Sequence, residues 1–395
     1  MISKYVAESL KNSSGIRAMF EEGNALRAKY GAENVYDFSL GNPDPPCPDI
    51  VHDTLKALVA QNTPGMHGYM SNAGYPDVRE KVAQYINKTE GASLSATNIV
   101  MTVGAGGGLN VALKALLDPG DEVVVFSPFF VEYRFYIENH GGSMVLVPTD
   151  ADSFLPSAEA LEKHISQKTK AIILNSPNNP TGVIYDRTTL GAVAEVLKRA
   201  EKQYGKPIYV LSDEPYRDIV YDGAELPSML EVFDNAIVVY SFSKSLSLPG
   251  ERIGYIAANS RIEDIALLMD ALIFANRSLG FVNAPALFQR VIGESLGATV
   301  DVDIYKERRD MLYGHITSLG FECIKPQGAF YLFPQSPLEN VAELKEAALK
   351  HRIILVPGGG FGCPSHFRLA YCVGIDTIKN SLDAFTALAQ DIGLK

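Results

Sequence analysis

The residues with the clearest chemical meaning are two serines, a lysine and an arginine close together in the sequence. Ser241 and Ser243 lie three positions and one position before Lys244, and Arg252 follows eight positions after the lysine. The segment begins where the apolar run 236–240 ends, so we expect the lysine at the end of a buried strand. A partly desolvated ammonium loses its proton more readily and can attack a carbonyl carbon to form a Schiff base. The arginine and the serines can hold a dianionic phosphate.

Together these groups favour a cofactor that carries both an aldehyde and a phosphate, and pyridoxal phosphate is such a cofactor. The alternative is a solvated lysine on a polar loop with a surface arginine nearby. Three further motifs, each at the end of a predicted strand, bear on the choice between these interpretations.

The first motif is a glycine-rich turn at 102–108, between a predicted strand and a helix predicted over 109–117. Backbone amides at such a turn, with the helix dipole behind them, can bind a phosphate. A dinucleotide-binding fingerprint would need a glycine where Leu109 stands, and the acidic pair Asp121-Glu122 precedes the next strand instead of ending it. A plain tight turn is the alternative.

The other two motifs place amide, carboxylate and phenol groups after apolar runs. Residues 175–182 are rich in proline and asparagine, and a side-chain amide such as that of Asn179 can donate to a phenolate or carboxylate oxygen. Asp213 and Tyr216 follow the next run. A buried carboxylate needs a cationic or hydrogen-bonding partner, and the protonated pyridine nitrogen of the cofactor would be one. A generic turn and a helix cap formed by Asp213-Glu214 are the alternatives.

Composition excludes several classes of protein. The chain of 395 residues is long enough for two domains. Its net charge of −11 argues against nucleic acid or an anionic membrane surface as a partner. There is no apolar run of transmembrane length and no apolar signal-peptide core at the start. The four cysteines form no Cys-x-x-Cys pair and the seven histidines show no metal-ligand spacing, so we expect a cytoplasmic protein without a metal centre.

The elements that must position these groups alternate between strand and helix. Strands are predicted at 98–103, 122–126, 144–147, 171–174, 208–211 and 236–240, and helices from Pro76, over 189–201 and over 284–319. A further strand is predicted at 329–333. Several strands are apolar on both faces, which is typical of a mostly parallel sheet covered by helices. We therefore expect a three-layer α/β/α large domain over 48–285 and a smaller α/β domain formed by 1–47 and 286–395.

The ordered set of motifs resembles the class I/II aminotransferases of pyridoxal-phosphate fold type I. The matching segments are Ser39-Leu40-Gly41-Asn42-Pro43, Asn179-Pro180-Thr181-Gly182, Asp213-x-x-Tyr216, Ser241-x-Ser243-Lys244 with Arg252, and Phe367-Arg368-Leu369-Ala370. The resemblance covers essentially the whole chain. It implies the cofactor pyridoxal 5'-phosphate and transfer of an amino group from an L-amino acid to a 2-oxo acid.

The resemblance also implies a role for each matched cofactor residue. Lys244 would form the Schiff base and move the proton from the substrate Cα, while Asp213 would keep the pyridine nitrogen protonated. Tyr216 and Asn179 would hydrogen-bond the phenolic oxygen. Phe130 would stack on the cofactor ring, unless it is a core phenylalanine. The phosphate would be held by Ser241, Ser243, Arg252 and the amides of Ala105 and Gly106.

The implied substrate site receives the α-carboxylate. Gly41 and Arg368 match the pair that binds it, Arg368 by a bidentate contact, with Asn179 as a further substrate-binding residue. Tyr69 matches a tyrosine that family members lend to the phosphate of the neighbouring subunit, which implies a homodimer with shared active sites. Arg277 lies in a region that family members use to bind a second carboxylate; a surface or interface arginine is the alternative.

The sequence departs from the family pattern at two points. Gly106-Gly107-Gly108 stands where a hydroxyl and an acidic residue are common, so we expect one side-chain hydrogen bond to the phosphate to be missing. The chain has no tryptophan, so the stacking ring must be a phenylalanine or a tyrosine.

Fold and cofactor do not fix the reaction. Carbon–sulfur lyases and amino-acid decarboxylases use the same scaffold, and they are the alternative to an aminotransferase. A non-catalytic DNA-binding regulator would need a basic domain, which this acidic chain lacks. A nicotinamide-dependent dehydrogenase is disfavoured by the broken glycine pattern.

Overall fold

The computed structural model describes residues 2–394, with the backbone alone for residues 11–21. The chain divides into two compact units. The larger unit is Pro45–Val302 with Gln327–Ala329, and the smaller unit contains the chain up to Asp44, Asp303–Pro326 and the chain from Phe330. The division expected from the sequence has its boundary at 285, so helix Ala286–Ser295, which it gave to the smaller domain, lies here in the larger unit.

The helices are α1 Lys4–Tyr30, α2 Asp49–Gln61, α3 Pro76–Glu90, α4 Gly104–Leu116, α5 Tyr133–Glu138, α6 Ala158–His164, α7 Arg187–Tyr204, α8 Met229–Val232, α9 Phe242–Ser245, α10 Ile265–Ser278, α11 Ala286–Ser295, α12 Val302–Ser318, α13 Val341–Lys350 and α14 Ile375–Asp391. The strands are β1 Tyr36–Asp37, β2 Ile99–Thr102, β3 Glu122–Ser127, β4 Ser143–Pro148, β5 Thr169–Asn175, β6 Tyr209–Asp213, β7 Ala236–Ser241, β8 Gly254–Ala258, β9 Tyr331–Leu332, β10 Ile353–Ile354, β11 Val356–Pro357 and β12 Phe367–Ala370. None of the helices in the described part of the chain has the length and apolar character needed to span a membrane.

The larger unit is built on a seven-stranded sheet in the order β2-β8-β7-β6-β5-β3-β4. Strands β4, β3, β5, β6 and β7 are parallel to their neighbours in this series, whereas β8 is antiparallel to both β7 and β2. The mostly parallel sheet expected from the apolar runs is thereby confirmed. Its parallel strands end at one edge, which is the edge where functional groups of such sheets gather.

Successive side chains of each strand point to opposite faces of the sheet, which explains why there is an apolar core on each face. On β5, Ile172 and Leu174 belong to one apolar core, and Ala171 and Ile173 belong to another. The first core includes residues of α2, α3, α7, α8 and α11, and the second includes residues of α4, α5 and α10. Each face of the sheet is therefore covered by helices, as the predicted three-layer arrangement requires.

Local sequence sets several helix ends. Pro76 occupies the first position of α3, where its missing N–H costs nothing, and Gly91 ends that helix in the left-handed conformation. In α7 the side chain of Asp186 accepts a hydrogen bond from the Thr189 amide, and Gly205 is the left-handed cap.

The smaller unit contains two small sheets. Strands β11, β12 and β9 form an antiparallel sheet in that order, and β1 pairs with β10 in parallel. Helices α1, α13 and α14 and most of α12 belong to the same unit.

Three sequence-based boundaries differ from the structure. Helix α4 begins at Gly104 instead of Leu109, since its glycines are helical although they carry no apolar periodicity. The helix predicted over 284–319 is two helices, α11 and α12. The strand predicted over 329–333 is limited to Tyr331–Leu332, and Ala329 before it has a φ of 56°, which interrupts an extended strand.

Candidate functional site

The strand ends that carry the sequence motifs meet at one edge of the larger unit's sheet. Parallel strands β5, β6 and β7 end at Asn175, Asp213 and Ser241. The register pairs Asn175 with Asp213, and it pairs Gly254 at the start of β8 with both Ser241 and Thr102. The topology therefore brings the carboxylate, the lysine segment and the glycine-rich turn to the same edge.

Asp213 is a buried carboxylate in which one of the two oxygens accepts no hydrogen bond from the described residues. The Tyr133 hydroxyl donates to Asp213 Oδ2 at 2.6 Å, and the Asn175 side-chain amide donates to the Asp213 backbone oxygen at 2.8 Å. Asp213 Oδ1 is buried and has no hydrogen-bond partner among the described residues. Burial raises the pKa of Asp213 to about 7, against the opposing hydrogen bond from Tyr133. A cationic N–H donor placed at Oδ1 would complete this carboxylate and stabilise its ionised form.

The neighbouring carboxylate, Glu214, belongs to a separate polar network. Its two oxygens accept hydrogen bonds from the Ser212 hydroxyl at 2.6 Å and from Arg217 at 2.8 Å. Arg217 also contacts Glu90 at 3.1 Å. Glu214 therefore has partners within the protein, so Asp213 is the acid of this pair that is open to a ligand.

Lys244 lies in the single-turn helix α9 directly after β7. The Ser241 side chain caps this helix by accepting a hydrogen bond from the Ser243 amide at 3.2 Å, and the two serine hydroxyl oxygens are 2.5 Å apart. The Lys244 ammonium lies 6.0 Å from the centre of the buried Tyr216 ring. The strand end and the cap thus hold Lys244 close to Tyr216, which follows Asp213 by three residues.

Arg252 lies against the start of α4. A Cβ atom on Gly104 would come within 2.7 Å of the Arg252 guanidinium, and Gly104 has a φ of +67°. A Cβ on Gly254 would lie 2.2 Å from the Tyr240 carbonyl oxygen and 3.2 Å from Gly104. Glycine at positions 104 and 254 therefore allows the Arg252 guanidinium and the start of β8 to lie close to the start of α4. The helix N-terminus and the arginine form a cradle for an anion with two negative charges.

The remaining predicted cofactor residues of this unit are placed as follows. Ala105 and Gly106 are in the first turn of α4. Asn179 is buried, and its backbone N–H donates to Asn175 Oδ1 at 2.7 Å. Phe130 is half-buried, with its ring edge-on to Tyr133 at 5.5 Å between centroids, whereas the adjacent Phe129 is the buried core residue.

Tyr69 differs from these side chains because it is 92% exposed. The single chain therefore does not bring it into the group of buried residues at the sheet edge.

The predicted carboxylate pair lies in the smaller unit. A Cβ on Gly41 would lie 2.0 Å from the Tyr331 hydroxyl, so a larger residue here would displace the Tyr331 side chain. Arg368 donates to the Ser39 carbonyl oxygen at 2.8 Å, and its guanidinium carbon lies 4.6 Å from the Tyr331 ring centre and 4.8 Å from that of Phe361. Two aromatic rings therefore fix the arginine in place.

Sequence reasoning missed three tyrosines. Tyr133 holds Asp213, Tyr331 lies between Gly41 and Arg368, and the Tyr136 hydroxyl lies 3.0 Å from where a Cβ on Gly106 would be. The aromatic-rich segment 129–136 was the available signal for Tyr133 and Tyr136, but it does not predict which groups the two rings contact.

Comparison with known proteins adds independent information. The family model for aminotransferases of class I and II matches residues 32–385. An aspartate aminotransferase of Thermotoga maritima is 32% identical over 89% of this chain and 90% of its own length.

Solved structures agree with this match. An amino transferase from Eubacterium rectale is 41% identical, with a TM-score of 0.95 and 99% of each chain covered. The aspartate aminotransferase of Thermus thermophilus with maleate is 28% identical, with a TM-score of 0.85 over 95% of this chain and 96% of that one.

Proposed function

Since the chain belongs to the class I and II aminotransferases and is an aminotransferase, we propose that it works with pyridoxal 5'-phosphate bound at Lys244. It moves the amino group of an L-amino acid to a 2-oxo acid. The observation that carries the cofactor assignment is the buried Asp213 Oδ1, which has no hydrogen-bond partner among the described residues and lies at the same sheet edge as Lys244. A protonated ring nitrogen is the donor that this oxygen requires.

The residues at the sheet edge fit the remaining parts of the cofactor. Asp213 would hold the ring nitrogen, and Tyr216 and Asn179 the phenolic oxygen. Phe130 would cover one face of the ring. The phosphate would lie at the start of α4, held by Ser241, Ser243, Arg252 and the amides of Ala105 and Gly106.

When bound, the cofactor supplies an electron-poor ring that stabilises negative charge on the substrate Cα. Lys244 provides the amine that binds the cofactor aldehyde and accepts the Cα proton of the substrate. Asp213 contributes by staying ionised beside the ring nitrogen, which keeps the proton on that nitrogen. Tyr133 fixes the orientation of the carboxylate through its hydrogen bond to Oδ2.

We infer that Arg368 binds the substrate α-carboxylate, with Gly41 leaving room for it and Asn179 as a further contact. The names of the relatives favour aspartate as a donor to test first. Arg277 lies in the last turn of α10 with its guanidinium 5.4 Å from the exposed Phe274 ring, and it is our candidate for binding a side-chain carboxylate.

We also infer a homodimer in the cytoplasm. Tyr69, Leu267 and Phe274 of the larger unit are large apolar side chains exposed by 92%, 69% and 58%. A second copy of the chain covering them would bury this apolar surface, and Tyr69 would then reach the partner's phosphate site. None of the four cysteines, all of which lie in the described part of the chain, forms a disulfide bond, which is typical of a reducing compartment.

The test is to load the purified protein with pyridoxal 5'-phosphate, reduce it with borohydride and locate the label by peptide mass spectrometry. The label should be on Lys244 in the parent and absent from Lys244→Ala, whereas Lys202→Ala, which removes an exposed lysine of α7, should be labelled normally. Amino acids are then offered one at a time with 2-oxoglutarate. Formation of the matching 2-oxo acid and glutamate supports transamination, whereas release of CO2 or of sulfide would identify a decarboxylase or a lyase instead.

A further inference from the structure

The Tyr136 hydroxyl occupies the space next to Gly106 at the start of α4. It lies 3.0 Å from the position that a Cβ atom on residue 106 would take, with the ring carbon Cζ at 3.7 Å. The side chain is half-buried, and its hydroxyl has no hydrogen bond to another residue in the described part of the chain. A phenol therefore stands where the side chain of a larger residue 106 would be.

The position of Tyr136 on α5 relates it to Asp213. Tyr133 and Tyr136 are three residues apart, so they lie on the same face of the helix, about 5–6 Å apart at Cβ. Tyr133 reaches the Asp213 carboxylate, and Tyr136 reaches the helix start against which Arg252 lies. The two phenols thus extend from the carboxylate to the anion cradle.

The α4 part of the cradle contributes no side-chain donor, although Arg252 lies against it. Helix α4 begins with Gly104, Ala105, Gly106, Gly107 and Gly108, none of which carries a side-chain hydroxyl or amide. Such a cradle offers backbone amides alone from α4, although a dianion can accept more hydrogen bonds than these. A donor from a neighbouring element would supply the missing bond.

We propose that the Tyr136 hydroxyl donates a hydrogen bond to the cofactor phosphate, in place of the side chain that residue 106 lacks. This inference rests on the proposed function, since it assumes pyridoxal 5'-phosphate at this site. It assigns Tyr136 as a cofactor-binding residue of this chain.

The electrostatic surroundings keep this phenol a donor. Burial, followed by the charges of Glu132 and Asp213, raises the pKa of Tyr136 to about 12, while the positive charge of Arg252 acts in the opposite direction. The hydroxyl therefore keeps its proton at neutral pH. A neutral O–H beside Arg252 can donate to a phosphate oxygen without adding a negative charge to the cradle.

The first experiment compares two ligands that differ by the phosphate. Dissociation constants of pyridoxal 5'-phosphate and of pyridoxal are measured for the full-length parent and for Tyr136→Phe. Loss of a charge-assisted hydrogen bond should weaken pyridoxal 5'-phosphate by about 10- to 100-fold and leave pyridoxal unchanged. Inorganic phosphate should also compete less well for the cofactor-free variant. The matched control is Tyr221→Phe, which removes a buried hydroxyl bonded to the Ala329 carbonyl oxygen, and it should change neither constant.

The second experiment moves the hydroxyl back to residue 106. In the parent, Gly106→Ser brings Cβ within 3.0 Å of the Tyr136 oxygen, which is tight. Once that oxygen is removed, the nearest atom is Cζ at 3.7 Å, an ordinary contact. The double variant Tyr136→Phe/Gly106→Ser should therefore bind pyridoxal 5'-phosphate more tightly than Tyr136→Phe alone.

The outcomes separate this inference from the proposed function. Equal losses for both ligands, or no loss for either, would refute a hydrogen bond from Tyr136 to the phosphate. A parent protein that binds pyridoxal 5'-phosphate no better than pyridoxal, and carries no borohydride label on Lys244, would refute the proposed function instead. Circular dichroism of Tyr136→Phe checks that the variant is folded.

Discussion

Replacing Asp213 with asparagine is expected to remove a pH dependence of stability that binding of the cofactor also removes. The pKa of Asp213 is raised from an ordinary value of 3.8 to about 7, because the carboxylate is buried. Between these two values the folded protein binds more protons than the unfolded chain. Its free energy of unfolding therefore falls as the pH rises through this window.

The size of this effect follows from the pKa difference. A pKa difference of one unit between the folded and unfolded states changes the free energy of unfolding by about 1.4 kcal/mol. A difference of about three units for Asp213 therefore lowers the free energy of unfolding by about 4 kcal/mol above pH 7, where Asp213 is ionised in both states. Below about pH 4 the cost disappears because the carboxyl is protonated in both states. Cofactor-free Asp213→Asn should therefore unfold like the parent at low pH and be the more stable protein above pH 7. A protonated ring nitrogen at Oδ1 would lower the pKa of Asp213 again. The parent protein with bound cofactor should therefore not lose stability as the pH rises through this window.

Glu90→Gln provides the matched control. Burial, together with the charge of Glu214, raises the pKa of Glu90 to about 7 as well, but its partners are Arg217 and Ser228. This substitution should flatten the pH dependence to the same extent with and without the cofactor, whereas Asp213→Asn should do so only without it.

The assay is urea unfolding of the parent and both variants from about pH 5 to about pH 8, with and without saturating pyridoxal 5'-phosphate. If Asp213→Asn had the same pH slope as the cofactor-free parent, the buried carboxylate would not be the titrating group. If the cofactor left the slope of the parent unchanged, it would not be bound at Asp213.

Four further outcomes are expected. Lys244→Ala should still bind pyridoxal 5'-phosphate without a covalent bond but should show no turnover, measured by spectral titration and by keto-acid formation. Arg368→Ala should lower kcat/KM for all amino donors alike, by about 10- to 100-fold for a lost charge-assisted contact. Gly104→Ala should weaken affinity for the phosphate, because its Cβ would lie 2.7 Å from the Arg252 guanidinium at a φ of +67°. Arg277→Ala should depress activity on aspartate and glutamate and spare alanine, and equal effects on all three donors would discard Arg277 as a specificity residue.

The core strands could be predicted from sequence because burial on both faces leaves a visible mark. The run 171–174 is apolar throughout, and in the structure its residues alternate between the two cores of the larger unit. Helix α4 is less visible, because Gly104 and Gly106–Gly108 are poor helix formers by themselves. Tertiary packing outweighs propensity there: a Cβ on Gly108 would lie 2.6 Å from a methyl carbon of Val239.

The motifs placed Asp213 and Lys244 at strand ends, but they gave no information on how each group is held. Tyr133 is 80 residues from Asp213 in sequence, and only the sheet topology brings α5 to the end of β6. Similarly, the glycines of α4 predict a cradle, but not that the Tyr136 hydroxyl lies beside Gly106. Contacts between distant segments depend on topology, which local patterns do not encode.

In the cofactor-free protein, an ionised aspartate at position 213 lowers the free energy of unfolding. This loss of stability indicates that Asp213 serves a purpose other than folding. An asparagine of the same shape could accept the Tyr133 hydrogen bond without the desolvation of a charge. Tyr133 satisfies one oxygen, but Oδ1 has no hydrogen-bond partner among the described residues, so the protein does not stabilise the ionised form by itself. A cation at Oδ1 would favour the ionised form of Asp213 over the protonated form, since the attraction between opposite charges is strong where water is excluded. Asp213 is therefore better suited to holding a protonated ligand than to stabilising the folded chain.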